Sequence, residues 1–279
     1  MKKTFAIATL TCNDREVLFE TLESFFNNTT INNLKDTLCW FIFIQGYTDV
    51  YLRKVEEKIE QYKTLYKINF ILIKNRKNLG LSKGANKLAE AVKDYEFVLY
   101  CEDDWYCLPQ TLTGISKYWL KSCLSFLRDN GNVSTLFLRK YVNDAEKIRY
   151  RWKHENGRWF APWYRHKFTD NFNYANKMKE SNIIYYDNIK FQEIPTFLFT
   201  FNPHIRRNND YYKTKVFPLD EYDDINCRRE KWSQTREADV LWWGYSECLA
   251  MEKTRDLITY NVGTGIFGHY EDWSVAGKI

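Results

Sequence analysis

Three consecutive carboxylates, Glu102, Asp103 and Asp104, form the most chemically distinctive motif in the sequence. They follow the nearly continuous apolar run 96–101, which is typical of a parallel strand covered on both faces. In open α/β sheets, ligands bind beyond the carboxyl ends of such strands. Hard cations such as Mg²⁺ and Mn²⁺ prefer oxygen ligands and commonly join carboxylates to substrate phosphates. The triplet is therefore a candidate site for a divalent cation that holds the phosphates of a nucleotide.

The same triplet has a plainer interpretation as a solvated surface cluster. Asp and Glu make up 36 of the 279 residues. At that frequency, chance alone gives about 0.6 acidic triplets in a chain of this length. The position directly after a strand favours the metal site, and the surrounding segments must decide between the two interpretations.

The segments before the triplet alternate between the hydrophobic periods of strands and helices. The pattern predicts a first helix capped by Asn13, with Glu16 as its capping-box partner, and a third helix capped by Ser82. Such alternation indicates βαβ units with right-handed crossovers. The fold class is therefore α/β, with a Rossmann-like, mostly parallel central sheet flanked by helices. The predicted strands are 4–11, 39–44, 68–73 and 96–101.

The second half of the chain begins with a helix that Pro109 opens and that Gly131 closes as a left-handed C-cap. A strand at 133–142 follows. Next comes a basic and aromatic β-hairpin insertion around Asn156-Gly157, a strong signal for a two-residue turn. Its aromatic side chains either pack on the body of the protein or contact substrate, and both interpretations stay open. We expect one continuous sheet, with further elements at 197–201, 237–252 and 257–262.

Composition narrows the class of protein. Aromatic residues form 18% of the chain, which suits the binding of flat ligands such as sugars or bases, although compositional bias is an alternative. The net charge of +5 is dispersed, which argues against a dedicated nucleic-acid protein. Seven cysteines without regular spacing indicate reduced, buried thiols in a cytoplasmic protein. No apolar run approaches the ~20 residues of a transmembrane segment.

Four segments in register resemble the nucleotide-sugar glycosyltransferases of the GT-A fold, and most closely the inverting family 2 group. The resemblance covers residues 1–110 and implies a single GT-A domain over 1–279. Residues 1–110 would form the nucleotide-sugar-binding half, and 111–279 the acceptor-binding and catalytic half. The segments are 5–15 (FAIATLTCNDR), 46–49 (GYTD), 75–86 (NRKNLGLSKGAN) and 102–105 (EDDW).

The resemblance implies roles for the triplet as a DxD-type motif. Asp104 would bind Mn²⁺ or Mg²⁺, Asp103 would meet the ribose, and Glu102 would support them. His269 would close onto the metal or the diphosphate from a glycine-rich segment near the C-terminus. The cation would neutralise the diphosphate as it departs.

Other residues are candidates for contact with the nucleotide. Thr11, Asn13 and Arg15 end the first predicted strand and can face a base or ribose. Gly80 would let the backbone approach the nucleotide or serve as a simple loop glycine, and Lys83 would meet a phosphate or pair with an acid. Asn78 would contact the ligand or hold the shape of its loop.

The chain departs from the family pattern at one position. Ile44 stands where members have the Asp that reads the base, and Gln45 or Asp49 would have to substitute for it. The donor is therefore left open among UDP-, GDP- and dTDP-sugars. The acceptor would be the hydroxyl of a glycan or another molecule.

Inverting members need a carboxylate that takes the proton from the acceptor hydroxyl. Glu237 and Asp239 are the candidates, with neither ahead of the other. A sugar nucleotidyltransferase would need a glycine-rich loop after strand one, and residues 8–15 contain no glycine. The remaining alternative is a noncatalytic carbohydrate- or nucleic-acid-binding protein that uses the hairpin as a stacking platform.

Overall fold

The structure is a computed structural model, and it describes most of the first 139 residues and several later segments. The described residues are 3–31, 34, 38–139, 153–155, 158–160, 182–194, 203–214, 253–254 and 256–269. The predicted elements at 197–201 and 237–252 lie outside them. So do both candidate bases, Glu237 and Asp239.

Nine strands form one sheet in the order β3-β2-β1-β4-β11-β6-β12-β10-β9, while β5 pairs with β13 and β7 pairs with β8. Within the large sheet, β10 and β11 run opposite to the other strands. The prediction of a mostly parallel sheet that joins both halves of the chain is confirmed. The strands are β1 Lys3–Cys12, β2 Leu38–Gln45, β3 Asn69–Asn75, β4 Tyr95–Glu102, β5 Trp105–Cys107, β6 Val133–Phe137, β7 Lys153–Glu155, β8 Arg158–Phe160, β9 Ile183–Tyr186, β10 Ile189–Ile194, β11 His204–Arg207, β12 Ile258–Val262 and β13 Phe267–His269.

Helices cover both faces of this sheet, which is why its central strands are largely buried. Every residue of β2 is buried. Successive residues of β1 enter opposite core clusters, with Phe5 and Ile7 on one face and Ala6 and Ala8 on the other. The first cluster includes residues of α1, α2 and α5, and the second includes residues of α3 and α6. The helices are α1 Val17–Asn28, α2 Asp49–Tyr66, α3 Leu81–Ala91, α4 Gln110–Thr113, α5 Trp119–Asp129 and α6 Asn208–Lys213.

The helix ends differ from the sequence predictions. Asn13 does not cap α1, because it and Asp14 adopt left-handed backbone at φ 55° and the helix begins only at Val17. Ser82 does not cap α3 either, since Gly80 holds the N-cap position and Ser82 is buried in the first turn. Asn and Asp tolerate left-handed backbone because their short polar side chains bond locally.

The helix predicted from Pro109 is divided into two. Gly114 adopts φ 69° and ends α4, so α5 starts afresh at Trp119. Gly131 does not take the left-handed conformation predicted for it, and Asn130 is the C-cap of α5 at φ −116°. A glycine five residues after Pro109 thus outweighed the helical periodicity around it.

The described residues of the second half include two β-hairpins. β7 and β8 pair antiparallel with Glu155 opposite Arg158, which confirms the predicted basic and aromatic hairpin. The proposed packing of its aromatic side chains lies outside what the structure describes. Sequence reasoning missed a second hairpin, in which β9 and β10 flank Asp187 and Asn188 at φ 49° and 62°. In the described ranges, no helix has the length and apolar character needed to cross a bilayer.

Candidate nucleotide and metal site

The first four parallel strands bring their carboxyl ends to one edge of the sheet. Cys12, Gln45 and Asn75 end β1, β2 and β3, and Glu102 ends β4. The residues that follow these ends form two groups. The acidic cluster consists of Thr11, Arg15, Asp103, Asp104 and His269, and the amide cradle consists of Asn13, Gln45, Gly46, Asn78 and Gly80.

Asp103 is the buried member of the acidic cluster, with 1% of its surface exposed. The Thr11 hydroxyl donates to its Oδ2 over 2.6 Å, and Nη1 of Arg15 lies 3.0 Å from its Oδ1. The Thr21 hydroxyl donates to its backbone oxygen over 2.6 Å. Burial raises the pKa of Asp103 to about 7, although Arg15 and Thr11 favour the charged form. The carboxyl group is thus rigidly held at the end of β4.

Asp104 lies beside it in a different environment. Nη2 of Arg15 is 2.9 Å from its Oδ2, and Nε2 of His269 is 3.4 Å from the same oxygen. Burial raises the pKa of this carboxyl, but the contacts with His269 and Arg15 outweigh burial and bring the pKa below its ordinary value. Asp104 is therefore held as a carboxylate.

The other oxygen of Asp104 is a buried acceptor without a donor. Oδ1 is shielded from solvent and receives no hydrogen bond from the described residues. A buried carboxylate oxygen in this state costs free energy unless something else satisfies it.

Pairing of short strands brings His269 to this position. β13 runs antiparallel to β5 with His269 opposite Trp105, and their rings meet edge to face at 5.0 Å. The turn before β13 uses Gly263 and Gly265 at φ 52° and 93°, a conformation that suits glycine. The glycine-rich segment therefore brings His269 to the acidic triplet, while its contact with a metal or diphosphate stays a prediction.

These residues fit a divalent cation that is delivered with a diphosphate. Within the described part of the chain, no group of three His, Cys, Asp or Glu side chains is arranged to hold a metal by itself. Asp104 and His269 offer one carboxylate and one imidazole, and phosphate oxygens and water commonly complete such a coordination shell. Without the cation, the Arg15 guanidinium contacts both Asp103 and Asp104 and favours the charged form of each.

The amide cradle begins with Gln45, which is buried with 2% of its surface exposed. Its Oε1 accepts from the backbone N–H of Leu79 over 2.9 Å, and its Nε2 donates to the Gly80 carbonyl over 3.2 Å. Its backbone oxygen accepts from the N–H of Asn13 over 3.0 Å. Both ends of the Gln45 amide therefore hold the loop between β3 and α3.

Asn78 joins that loop to the loop after β1. The Gly80 N–H donates to Asn78 Oδ1 over 2.8 Å, and Asn78 Nδ2 donates to Asn13 Oδ1 over 3.2 Å. A Cβ atom on Gly46 would come within 2.5 Å of Asn13 Oδ1, so a glycine lets Asn13 lie across the end of β2. Gly80 itself has φ 84° and open space around its Cα, which leaves room for a ligand.

Three predicted residues lie at the rim of the site. Lys83 is exposed in the first turn of α3, and Glu102 is half-buried as the last residue of β4. Asp49 opens α2 and pairs with Arg76 at 2.7 Å. Their predicted ligand contacts remain predictions.

Sequence reasoning missed three supporting residues. Asp14 accepts from both the N–H and the hydroxyl of Thr48, over 2.8 Å and 2.7 Å. The Tyr51 hydroxyl donates to the Arg15 carbonyl over 2.5 Å. Thr21 holds Asp103 as described above. Only Asp14 carried a usable signal, as an acid beside the Asn at the end of a strand.

Comparisons with known proteins agree with this architecture. No protein-family model and no curated protein matches the chain. Among solved structures, a fragment of S. aureus TarS superposes at a TM-score of 0.53 with 18% identity, over 95% of this chain and 59% of that one. GalNAc-T7, solved with UDP, GalNAc and Mn²⁺, superposes at 0.52 with 10% identity, over 95% of this chain and 43% of that one.

Both of these proteins are GT-A glycosyltransferases. At such identities the likeness establishes the fold, and the chain therefore has the GT-A fold predicted for it. The chain spans about six tenths of the TarS fragment and less than half of the GalNAc-T7 chain. A specific relation to the inverting family 2 group stays a prediction.

Proposed function

We propose that the protein is a metal-dependent glycosyltransferase that moves a sugar from a nucleoside-diphosphate sugar to an acceptor hydroxyl. The observation that carries the proposal is the buried, unsatisfied Oδ1 of Asp104 beside His269. It lies at the sheet edge where α/β folds bind nucleotides. GalNAc-T7, which shares the fold, was solved with UDP and Mn²⁺.

The residues present support specific roles. Asp104 and His269 would hold the divalent cation, Mn²⁺ or Mg²⁺. When bound, that cation supplies positive charge that neutralises the diphosphate as it leaves. Asp103 is kept in place by Thr11 and Thr21 and would accept a hydrogen bond from a ribose hydroxyl. Arg15 is half exposed, so its guanidinium can turn from the carboxylates to a phosphate.

The transfer step needs a base on the acceptor side. In the inverting mechanism that we propose, Glu237 or Asp239 takes the proton from the acceptor hydroxyl as that oxygen attacks the anomeric carbon. The sugar then changes anomeric configuration, because attack comes from the face opposite the diphosphate. Both residues belong to the part of the chain outside the described ranges.

A thermal-shift panel tests the donor. UDP-, GDP- and dTDP-sugars are added to the protein with and without Mn²⁺, and the midpoint of unfolding is measured. We expect at least one nucleotide sugar to raise the midpoint only when Mn²⁺ is present, since ligands that bind the native state stabilise it. If no nucleotide sugar raises the midpoint of unfolding, the proposal is contradicted.

A transfer assay tests the base. Asp239→Asn and Glu237→Gln are compared for donor binding and for transfer to a glycan acceptor. We expect one of them to keep donor affinity and lose transfer by about a hundredfold or more. If both variants transfer sugar normally, neither residue is the base.

A further inference from the structure

We propose that the side-chain amide of Asn13 selects the nucleobase of the donor by donating a hydrogen bond from Nδ2 to a carbonyl oxygen of the base. The inference rests on the function proposed above and deepens it, because it assigns what the base subsite reads. Three features carry it: the direction of a hydrogen-bond relay, the fixed position of Asn13, and the occupation of the nearby acceptors.

The relay fixes which end of the Asn13 amide faces outward. A backbone N–H can only donate, so the Gly80 N–H sets Oδ1 of Asn78 as its acceptor at 2.8 Å. The amide nitrogen of Asn78 must then be the group that contacts Asn13 at 3.2 Å, and its partner must be Oδ1. Nδ2 of Asn13 is therefore the outer end of the relay, and it donates.

The position of Asn13 is fixed as firmly as its direction. Its backbone N–H donates to the Gln45 carbonyl over 3.0 Å, and its φ of 55° turns the side chain back over the end of β2. There it lies on Gly46, where any Cβ would approach Oδ1 to 2.5 Å. Asn13 is nevertheless exposed, and no described residue accepts a hydrogen bond from Nδ2. The donor is held in place for a ligand.

The nearby acceptor side chains are engaged in other contacts. Both carboxylate oxygens of Asp14 accept from Thr48. Asp49 is ion-paired with Arg76. Gln45 and Ile44 are buried, and the Gln45 oxygen is used by Leu79. The described side chains at this end of β2 therefore present a donor to the base rather than a carboxylate.

This arrangement predicts a pattern of base preference. Uracil and cytosine both carry a carbonyl oxygen beside the ring nitrogen that bears the ribose, and guanine carries one on its six-membered ring. Adenine carries none. A base without a carbonyl oxygen cannot accept from Nδ2 of Asn13, so its complex lacks the hydrogen bond that the other bases form. We expect UDP and CDP to bind with similar affinity and ADP to bind more weakly.

The test measures dissociation constants of UDP, CDP and ADP by calorimetry with Mn²⁺ present. For the wild-type protein we expect UDP and CDP within about threefold of each other and ADP about tenfold weaker, as expected for the loss of one hydrogen bond. Asn13→Asp replaces the donor by an acceptor that repels a carbonyl oxygen. It should reduce the preference for UDP over ADP to about threefold or less. The added charge affects UDP and ADP alike, so its general effect cancels in the ratio of their dissociation constants.

Two further variants make the result decisive. Asn78→Asp removes the donor that orients Asn13, so the amide can turn and the preference for UDP over ADP should fall. Asn69→Asp makes the same chemical change at the opposite end of the sheet, and it should keep the wild-type ratio.

The outcomes separate the two proposals. Equal affinity of the wild-type protein for UDP and ADP would overturn the inference, and so would an Asn13→Asp variant that keeps the wild-type ratio. Failure of all three diphosphates to bind the wild-type protein would overturn the proposed function, and this inference with it.

Discussion

At the scale of single residues, Arg15 is the positively charged side chain that contacts both acids of the site. Its two terminal nitrogens contact Asp103 and Asp104 at 3.0 Å and 2.9 Å. The two acids nevertheless differ. Burial has the largest effect on the pKa of Asp103 and raises it to about 7. His269 and Arg15 together bring the pKa of Asp104 below its ordinary value. Adjacent residues can therefore serve different purposes, one as a rigid hydrogen-bonding group and one as a charged ligand.

The raised pKa of Asp103 predicts how stability changes with pH. In the metal-free protein the folded state keeps a proton on Asp103 up to about pH 7, while the unfolded chain releases it near pH 4. Folding therefore binds a proton between these values, and stability falls as pH rises through them. Asp103→Asn removes this dependence. Between pH 5 and pH 7, urea unfolding in EDTA should show wild type losing about 2 kcal/mol relative to the variant.

The absence of this trend would contradict the assignment. If the stability difference between wild type and Asp103→Asn is constant from pH 5 to pH 7, the pKa of Asp103 is not raised, because a carboxyl stabilised in its charged form is already deprotonated over that whole range. The pairing with Arg15 would then outweigh burial.

At the scale of elements, the site depends on how strand ends and the following turns are built. Gly46 follows β2 at φ 65°, beside Asn13. Gly114 ends α4 at φ 69°, and a Cβ atom added there would meet no atom within 4 Å. The two glycines share the same backbone strain on substitution, but only one of them supports the amide cradle.

This pair gives a matched test. Gly114→Ala should cost about 1–2 kcal/mol of stability, because left-handed backbone is unfavourable for alanine, and it should leave nucleotide affinity unchanged. Gly46→Ala incurs the same strain and also displaces Asn13, so it should cost about 1 kcal/mol more and weaken UDP binding about tenfold or more. Urea unfolding and calorimetry measure the two effects. Equal behaviour of the two variants would mean that Asn13 is free to move.

Elements were predictable from sequence where hydrophobic periodicity is strong. β1, α2 and β4 follow such runs, and the acidic triplet was expected directly after β4. Helix ends were not predictable in the same way. Asn13 has the side chain of an N-cap, but tertiary contacts with Gln45 and Asn78 hold it in a left-handed turn instead.

The site was predictable in part for the same reason. The residue pattern indicated the acidic triplet and the resemblance implied His269, while the relay through Asn78 and Gly80 depends on two loops that only the fold brings together.

At the scale of the whole molecule, one sheet joins the candidate donor site to the second half of the chain. β11 lies between β4 and β6, and β12 pairs with β6. Strands from both halves therefore share hydrogen bonds. The first 110 residues would leave the β11 side of β4 unpaired, so we expect the described elements to unfold together.

A core substitution far from the site tests this cooperativity. Phe191 of β10 is fully buried and stacks on Phe126 of α5 with ring centroids 4.0 Å apart. Phe191→Ala should destabilise the protein by about 3–5 kcal/mol. Hydrogen exchange should then accelerate in β1 and β2 as well as in β10 and β12. Acceleration confined to β10 and its neighbours would show that the two halves unfold separately.

The proposed function depends above all on Asp104 binding a divalent cation that holds the donor diphosphate. The most direct measurement compares the affinity for a nucleotide sugar, with and without Mn²⁺, in wild type, Asp104→Asn and Asp94→Asn. Asp94 is an exposed acid at the opposite end of β4 and serves as the matched control. We predict that Mn²⁺ strengthens binding about tenfold or more in wild type and Asp94→Asn, and that Asp104→Asn loses this effect. If the Asp104→Asn variant retains the full effect of Mn²⁺, Asp104 is not the metal ligand and the proposed metal site is wrong.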